Sequence, residues 1–460
     1  MEELKNTWKN RGFQNTLKFG LIAILAIFLL IPKFMILDLI HERQQQSESV
    51  TDQVAADWSA SQTIQGPILV IPYKHTIVVP STSKATASVE VQNLVVYPKS
   101  LTINGNLETT KKYRSIYEVL LYRSDLTIKG NFVIPSLEEL NLTSDQILLS
   151  ESYLVLGIND LKGIENKVDL SWNSTVLKLK PGTRDISFNQ NPFLNPTHDA
   201  SPIIHESYTG KSGLNTKVNI PNLNDEFSFS MNLNIKGSKQ LLFTPFGEDT
   251  EVSLSSKYAD PIFTGHFLPT HNTHSAGFDA QWKILEYNKI LPSYQKGDDF
   301  VNAGKNVFGV EIKNLVDHYT KINRAAKYMF LVVALVFLVV FITELINDQK
   351  IHVFQYALVG FAIALFFVLL LSLSEFIGFD NSYVIASFAI ISLITAYTRS
   401  IFKNKKSVYA LLGLLVFMLS YIYLIIQLEK SALLVGSIGL FLILAATMYV
   451  TRKIKWYEEA

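Results

Sequence analysis

Apolar residues in this 460-residue chain fall into long runs, and the placing of those runs constrains the fold more than any motif does. The first, Leu17 to Leu37, reads LKFGLIAILAIFLLIPKFMIL. At 1.5 Å per helical residue it spans a hydrocarbon core of about 30 Å. Almost nothing comparable follows until Tyr328. Five runs then come close together: Tyr328–Ile346, Phe354–Leu373, Tyr383–Tyr397, Val408–Leu428 and Ala432–Val450. The run at Tyr383–Tyr397 is short, with ends that extend towards Phe379 or Ser400. Six transmembrane helices are therefore expected, one N-terminal and five C-terminal. Membrane spans also account for the low charged fraction, 18% against about 25% in soluble domains.

A basic n-region (Lys5, Lys9, Arg11) ahead of the first run suits a signal peptide or an anchor. No small-x-small cleavage site follows, and the run exceeds a usual signal core, so an uncleaved anchor is the expectation. Lys and Arg then set the orientation. With the N-terminus in the cytoplasm, the loop NDQKIH, the loop RSIFKNKK (Arg399–Lys406) and the tail carrying Arg452, Lys453 and Lys455 all fall inside. The loop Glu375–Ser382, which has no Lys or Arg, falls outside. Removing one span would put a basic segment outside, so an even count with both termini cytoplasmic is predicted.

Three segments follow from this: 1–41 with the first span, an outer domain over 42–325, and a bundle over 326–460. The outer domain reads as β structure, with short period-two runs bounded by Gly, Pro, Asn and Ser. Phe227, Phe229, Met231, Leu233 and Ile235 alternate with Ser and Asn, as in an antiparallel strand with one buried face. The fold class expected is α+β, with an antiparallel β-sandwich-like domain outside the membrane. Ile40–Ser61 reads as a helix, and 181–203 as a long loop that divides two lobes.

Little in the sequence suggests catalysis. With no cysteine, disulfides, Cys-ligated zinc, iron–sulfur clusters and cysteine nucleophiles are excluded. A net charge of +1 gives no reason to expect a nucleic-acid partner. No nucleophile elbow, His-Glu-x-x-His or Gly-x-Gly-x-x-Gly occurs. Gly210-Lys211-Ser212 lacks the leading Gly of a phosphate loop, since position 205 is His. His266, His271 and His274, with Asp279, have separations that suit Zn²⁺ or Cu²⁺, but a polar solvated loop explains them more simply. The Asp317-His318 pair reads as surface charge near the headgroups. No metal, cofactor or catalytic residue is assigned.

Ionisable groups in spans are the default functional suspects. Glu344 stands near the cytoplasmic end of the second span and Glu375 at the outer end of the third, both within reach of interfacial water. Ser372 and Ser374 are placed to bond neighbouring helices. No span carries a charge at mid-depth or a Gly/Pro break, which weighs against an ion-coupled transporter.

Several motifs in the C-terminal half then carry a resemblance. Arg324, Ala325, Lys327 and Tyr328 open the second span, and Phe341 and Glu344 close it. His352, Gln355, Tyr356, Leu358, Val359 and Gly360 fit H-P-x-Q-Y-x-L-V-G, with Val353 in the Pro position. LLLSLSEFIGF (369–379), Ala432 to Ser437, and Met448 to Tyr457 supply further matches. The outer domain matches more loosely, at Gly66-Pro67, Ile71-Pro72-Tyr73, Ile116 to Phe132, and Gly265 to Trp282. Lys430-Ser431 replaces a usual Asp-Tyr. In order and motif the chain resembles the CreD family of bacterial inner membrane proteins over nearly its whole length. That resemblance implies a role in cell envelope integrity and expression under a two-component system, with no enzymatic activity. The implied reading is a sensor, scaffold or binding module. The alternative is a transporter or lipid-handling protein. Its partners are the lipid bilayer and, for the outer domain, envelope proteins, lipid or peptidoglycan. No feature sets an oligomeric state.

Overall fold

A computed structural model describes residues 11–79, 86–188, 211–289, 291–297, 300–301, 306–313, 318–347, 349–402, 404–428 and 431–452. Outside them lie Lys5, Lys9, Gly210, Asp317, Lys403, Lys430, Lys453, Lys455 and 189–203 of the expected loop. The chain divides into two compact units, residues 1–49 with 316–460, and residues 50–315.

The helices of the first unit follow the apolar runs. Helix α1 is Arg11–Phe28 and α2 is Leu30–Trp58. Pro32 accounts for the interruption between them, because it has no N–H for the carbonyl of Phe28 four residues back. After the β unit come α3 (His318–Lys327), α4 (Met329–Ile346), α5 (Val353–Ile377), α6 (Phe379–Ile401), α7 (Lys405–Gln427) and α8 (Ala432–Thr451). Among the described residues, five helical segments are long and apolar enough to cross a membrane, one near the N-terminus and four after residue 318. Leu434–Tyr449, within α8, is a shorter apolar stretch. Helix α6 extends beyond Tyr383–Tyr397 at both ends. Its longer form buries Phe379 and Thr398 along with Tyr383, Ile390 and Ile394.

Leu29, Val336, Phe367, Leu411 and Met418 belong to one bundle core. Gly360 permits a close helix contact there. A Cβ at this position would stand 2.3 Å from the Leu29 side chain and 3.0 Å from the Phe337 ring.

The second unit is built mainly from two sheets, of nine and eight strands. Its long strands include β1 (Gln62–Val79), β2 (Thr86–Val96), β3 (Ser100–Arg114), β4 (Tyr117–Val133), β5 (Tyr153–Ile158) and β6 (Glu226–Ser238). Most pairings are antiparallel, but β1 runs parallel to Gln240–Phe243, and β3 parallel to Asp249–Ser256. Wholly antiparallel pairing was the expectation; the parallel pairs arise where the chain returns to a sheet after an intervening excursion. Strands from either side of 181–203 pair with one another: Gly213–Lys217 with β5, and β6 with β4. The lobes proposed for that stretch thus share both sheets.

The alternation in β6 is borne out. Phe227, Phe229, Met231, Leu233 and Ile235 are all buried, and Ser228 and Asn232 are exposed. By contrast GPILVIPY (66–73) has no alternation, because β1 is covered on both faces. Leu69 and Ile71 join the large core that takes residues from both sheets, together with Leu126, Leu233 and Trp282. Ile68 and Val70 join a smaller core on the opposite face with Val155, Phe188 and Phe246. The family-like residues of this unit serve packing. Trp282 Nε1 donates to Phe267 O at 3.1 Å, and the buried Tyr122 hydroxyl donates to Gln240 O at 2.7 Å. Burial pushes the Tyr122 pKa well above the ordinary phenol value.

A polar network lies where α2 gives way to β1. Asp160 is buried, and its carboxylate accepts hydrogen bonds from Ser59 Oγ (3.0 Å), Ala60 N (3.0 Å) and Lys162 N (3.0 Å). Gln62 uses both ends of its amide: Oε1 accepts from Asp160 N at 3.2 Å, and Nε2 donates to Asp160 O at 2.9 Å. Ser238 Oγ donates to Ser59 O at 2.9 Å. These bonds satisfy the backbone groups freed as helix changes to strand.

Candidate functional site

At one end of the bundle, Glu344 gathers partners from three segments. It sits in the last turn of α4 with its side chain 9% exposed. One carboxylate oxygen, Oε1, forms an ion pair with Lys18 Nζ of α1 and accepts from Ile351 N at 3.2 Å. The other, Oε2, accepts from Tyr356 Oη of α5 at 2.9 Å. Lys18 Nζ also donates to Ile351 O at 2.5 Å. A carboxylate offers about four lone-pair sites, and three are taken. Glu344 is thus buried and held by three partners, where the sequence placed it within reach of interfacial water.

The residues around it explain why the chain turns here. Asn347 ends α4, its side-chain amide donating to Thr343 O at 2.9 Å and to Ser407 Oγ at 3.0 Å. His352 and Gln355 form a capping box at the start of α5: His352 Nδ1 accepts from Phe354 N at 3.2 Å, and Gln355 Oε1 from His352 N at 3.0 Å. Their family-like spacing is therefore a helix-start device. It aims Tyr356, one residue further on, at Glu344. A cavity of about 10 Å³ lies beside Tyr356 and Gln355, room for about one water molecule.

The second polar cluster is separate. Glu375 in α5 accepts from Tyr319 Oη of α3 at 3.1 Å. Nearby, Asp380 in the first turn of α6 accepts from Tyr423 Oη at 3.0 Å and from Gln427 Nε2 at 2.7 Å, both on α7. Its negative charge also suits the positive end of the α6 dipole. Lys321 Nζ reaches Gln427 Oε1 at 3.5 Å and stands 5.4 Å from the centre of the Phe379 ring. Glu344 and Glu375 thus have no partner in common.

The serines do not bridge helices as expected. Ser374 Oγ donates to Leu371 O of its own helix at 2.8 Å, and Ser372 is exposed. In a helix, a serine hydroxyl can reach back to a carbonyl one turn earlier, and that local bond is made here. Arg324 is exposed in the last turn of α3.

Sequence reading missed Lys18, Tyr319, Asp380 and Gln427. Lys18 was the legible one: a cation at the start of an apolar run calls for a nearby anion, and Glu344 was available. The histidines do not converge either. His271 and His274 lie on the strand Thr270–His274, three residues apart, so their side chains leave opposite faces. The His271 ring stands 4.7 Å from that of Phe263, and His274 Nδ1 accepts from Ala276 N at 3.2 Å. Among the described residues no three His, Asp or Glu side chains are grouped to hold a metal ion.

Two comparisons with known proteins bear on this arrangement. A family model described as "Inner membrane protein CreD" matches residues 14–457. The inner membrane protein CreD of Escherichia coli (strain K12) is 30% identical over 437 residues, which covers 94% of this chain and 91% of that protein.

Proposed function

The chain belongs to the CreD family of inner membrane proteins, and on that premise we propose that it is a non-catalytic, multi-pass protein contributing to cell envelope integrity. In this reading six helices span the membrane, α8 being the sixth, and both termini are cytoplasmic. Residues 42–325 form a periplasmic sandwich whose two sheets enclose the large core, and this domain acts as sensor, scaffold or binding module.

The observation that carries the reading is the placing of polar groups at the bundle ends. Lys18, Asn347, Ile351 and Asn404 gather at one end through Glu344 and Ser407. These belong to, or directly adjoin, three of the four segments that the positive-inside rule assigns to the cytoplasm. A buried Glu344 held by three partners and a one-water cavity beside Tyr356 favour a structural bundle over a conducting one. A transporter would need a polar cavity reaching Glu344 or Glu375.

Two measurements test this. A reporter fused at Lys405 is expected to read cytoplasmic; periplasmic activity there rejects the topology. A strain lacking the protein is expected to be more sensitive to detergents and β-lactams. Wild-type sensitivity in that strain rejects the envelope role.

A further inference from the structure

A groove of about 860 Å³ opens between α2 and α5, within the ~300–1,000 Å³ range of small-ligand sites. Pro32, whose missing N–H interrupts the first helix, lies in its wall. Leu358, Phe361 and Leu365 line it from α5, and Met35 from α2. Asp38 and Glu42 also line it, past the last apolar turn of the first run. They stand four residues apart on one helix and so share a face.

We propose that this groove holds a bilayer phospholipid with a primary-ammonium headgroup, phosphatidylethanolamine, with an acyl chain against Phe361 and Leu365 and the ammonium between Asp38 and Glu42. Three observations converge on that occupant. First, the walls belong to membrane-spanning segments and Met35 is 67% exposed, so whatever fills the groove comes from the bilayer. Water gains little in a space lined by apolar side chains. Second, the groove follows α2 from Pro32 to Glu42, which at 1.5 Å per residue is about 15 Å of helix, suited to an extended chain. Third, the charges select the head. Asp38 and Glu42 are both exposed, and neither forms an ion pair with a described cation. Two carboxylates side by side repel an anionic headgroup and attract a cation. A primary ammonium has three N–H donors for them, and a quaternary one has none. The pairing holds whichever face of the membrane that end meets.

The test uses the full chain in nanodiscs of equimolar phosphatidylethanolamine and phosphatidylglycerol, released from the disc in the mass spectrometer and read by native mass spectrometry. Wild-type protein is expected to retain the ethanolamine lipid about five-fold over the glycerol lipid, the preference a favourable surface ion pair supplies. Asp38→Asn with Glu42→Gln should bring the ratio to about one, and both sites are exposed, so the fold should tolerate the change. Ala362→Trp, which fills the groove, should reduce all lipid adducts. Equal retention by wild type, or a preference that survives the double substitution, overturns the proposal. So does phosphatidylcholine retained as well as phosphatidylethanolamine in a parallel disc.

Discussion

Glu344→Leu is expected to destabilise the bundle by about 3–5 kcal/mol, the cost of breaking a buried ion pair from one side. The substitution leaves the Lys18 ammonium without its counter-ion, and Ile351 N and Tyr356 Oη without their acceptor. Thermal unfolding of the purified chain in detergent should show a clear fall in midpoint. Lys18→Met combined with Glu344→Leu should recover most of the loss, because an apolar pair carries no stranded charge. A double substitution as unstable as Glu344→Leu alone would mean that the ion pair is not the source of the effect.

The second large effect is expected in the other unit. Asp160→Leu removes the acceptor for Ser59 Oγ, Ala60 N and Lys162 N at once. Buried donors left unpaired cost about 1–3 kcal/mol each, so a loss of roughly 3 kcal/mol or more should follow. Asp160→Asn, which keeps one oxygen, should lose less. Limited proteolysis of the full chain can separate the two units: cleavage should rise within 50–315 and stay unchanged in the bundle. Equal protection of wild type and Asp160→Leu would show that the network contributes little.

How much of this could be read beforehand depended on the kind of signal. Long apolar runs announce membrane helices because a lipid environment forces each run to satisfy its own backbone. Strands with one wet face were equally plain, as Phe227 to Ile235 show. The doubly covered β1 was recognisable as strand but gave no hint of its second core, since Ile68 and Val70 look no different from Leu69 and Ile71. Pairing over long separations was hidden. The return of Gln240–Phe243 to lie parallel with β1 joins positions about 180 residues apart, and no local pattern encodes it. At the candidate site both carboxylates were found by composition alone. Of their partners, Lys18 was open to reading as a cation within an apolar run, but Tyr319 was not, because a tyrosine at a helix surface reads the same whether or not it meets a neighbour.

The ion pair between Lys18 and Glu344 spans 326 residues of sequence, and that separation sets a schedule for assembly. At roughly 5–20 residues per second of synthesis, about 15–65 s pass between emergence of the lysine and emergence of its acid. Throughout that interval the first helix resides in the bilayer with an unneutralised ammonium, while the intervening β strands are made. An anionic lipid headgroup can neutralise it meanwhile. The contact between the first helix and the final turn of α4 can therefore form only after everything between the two residues has left the ribosome.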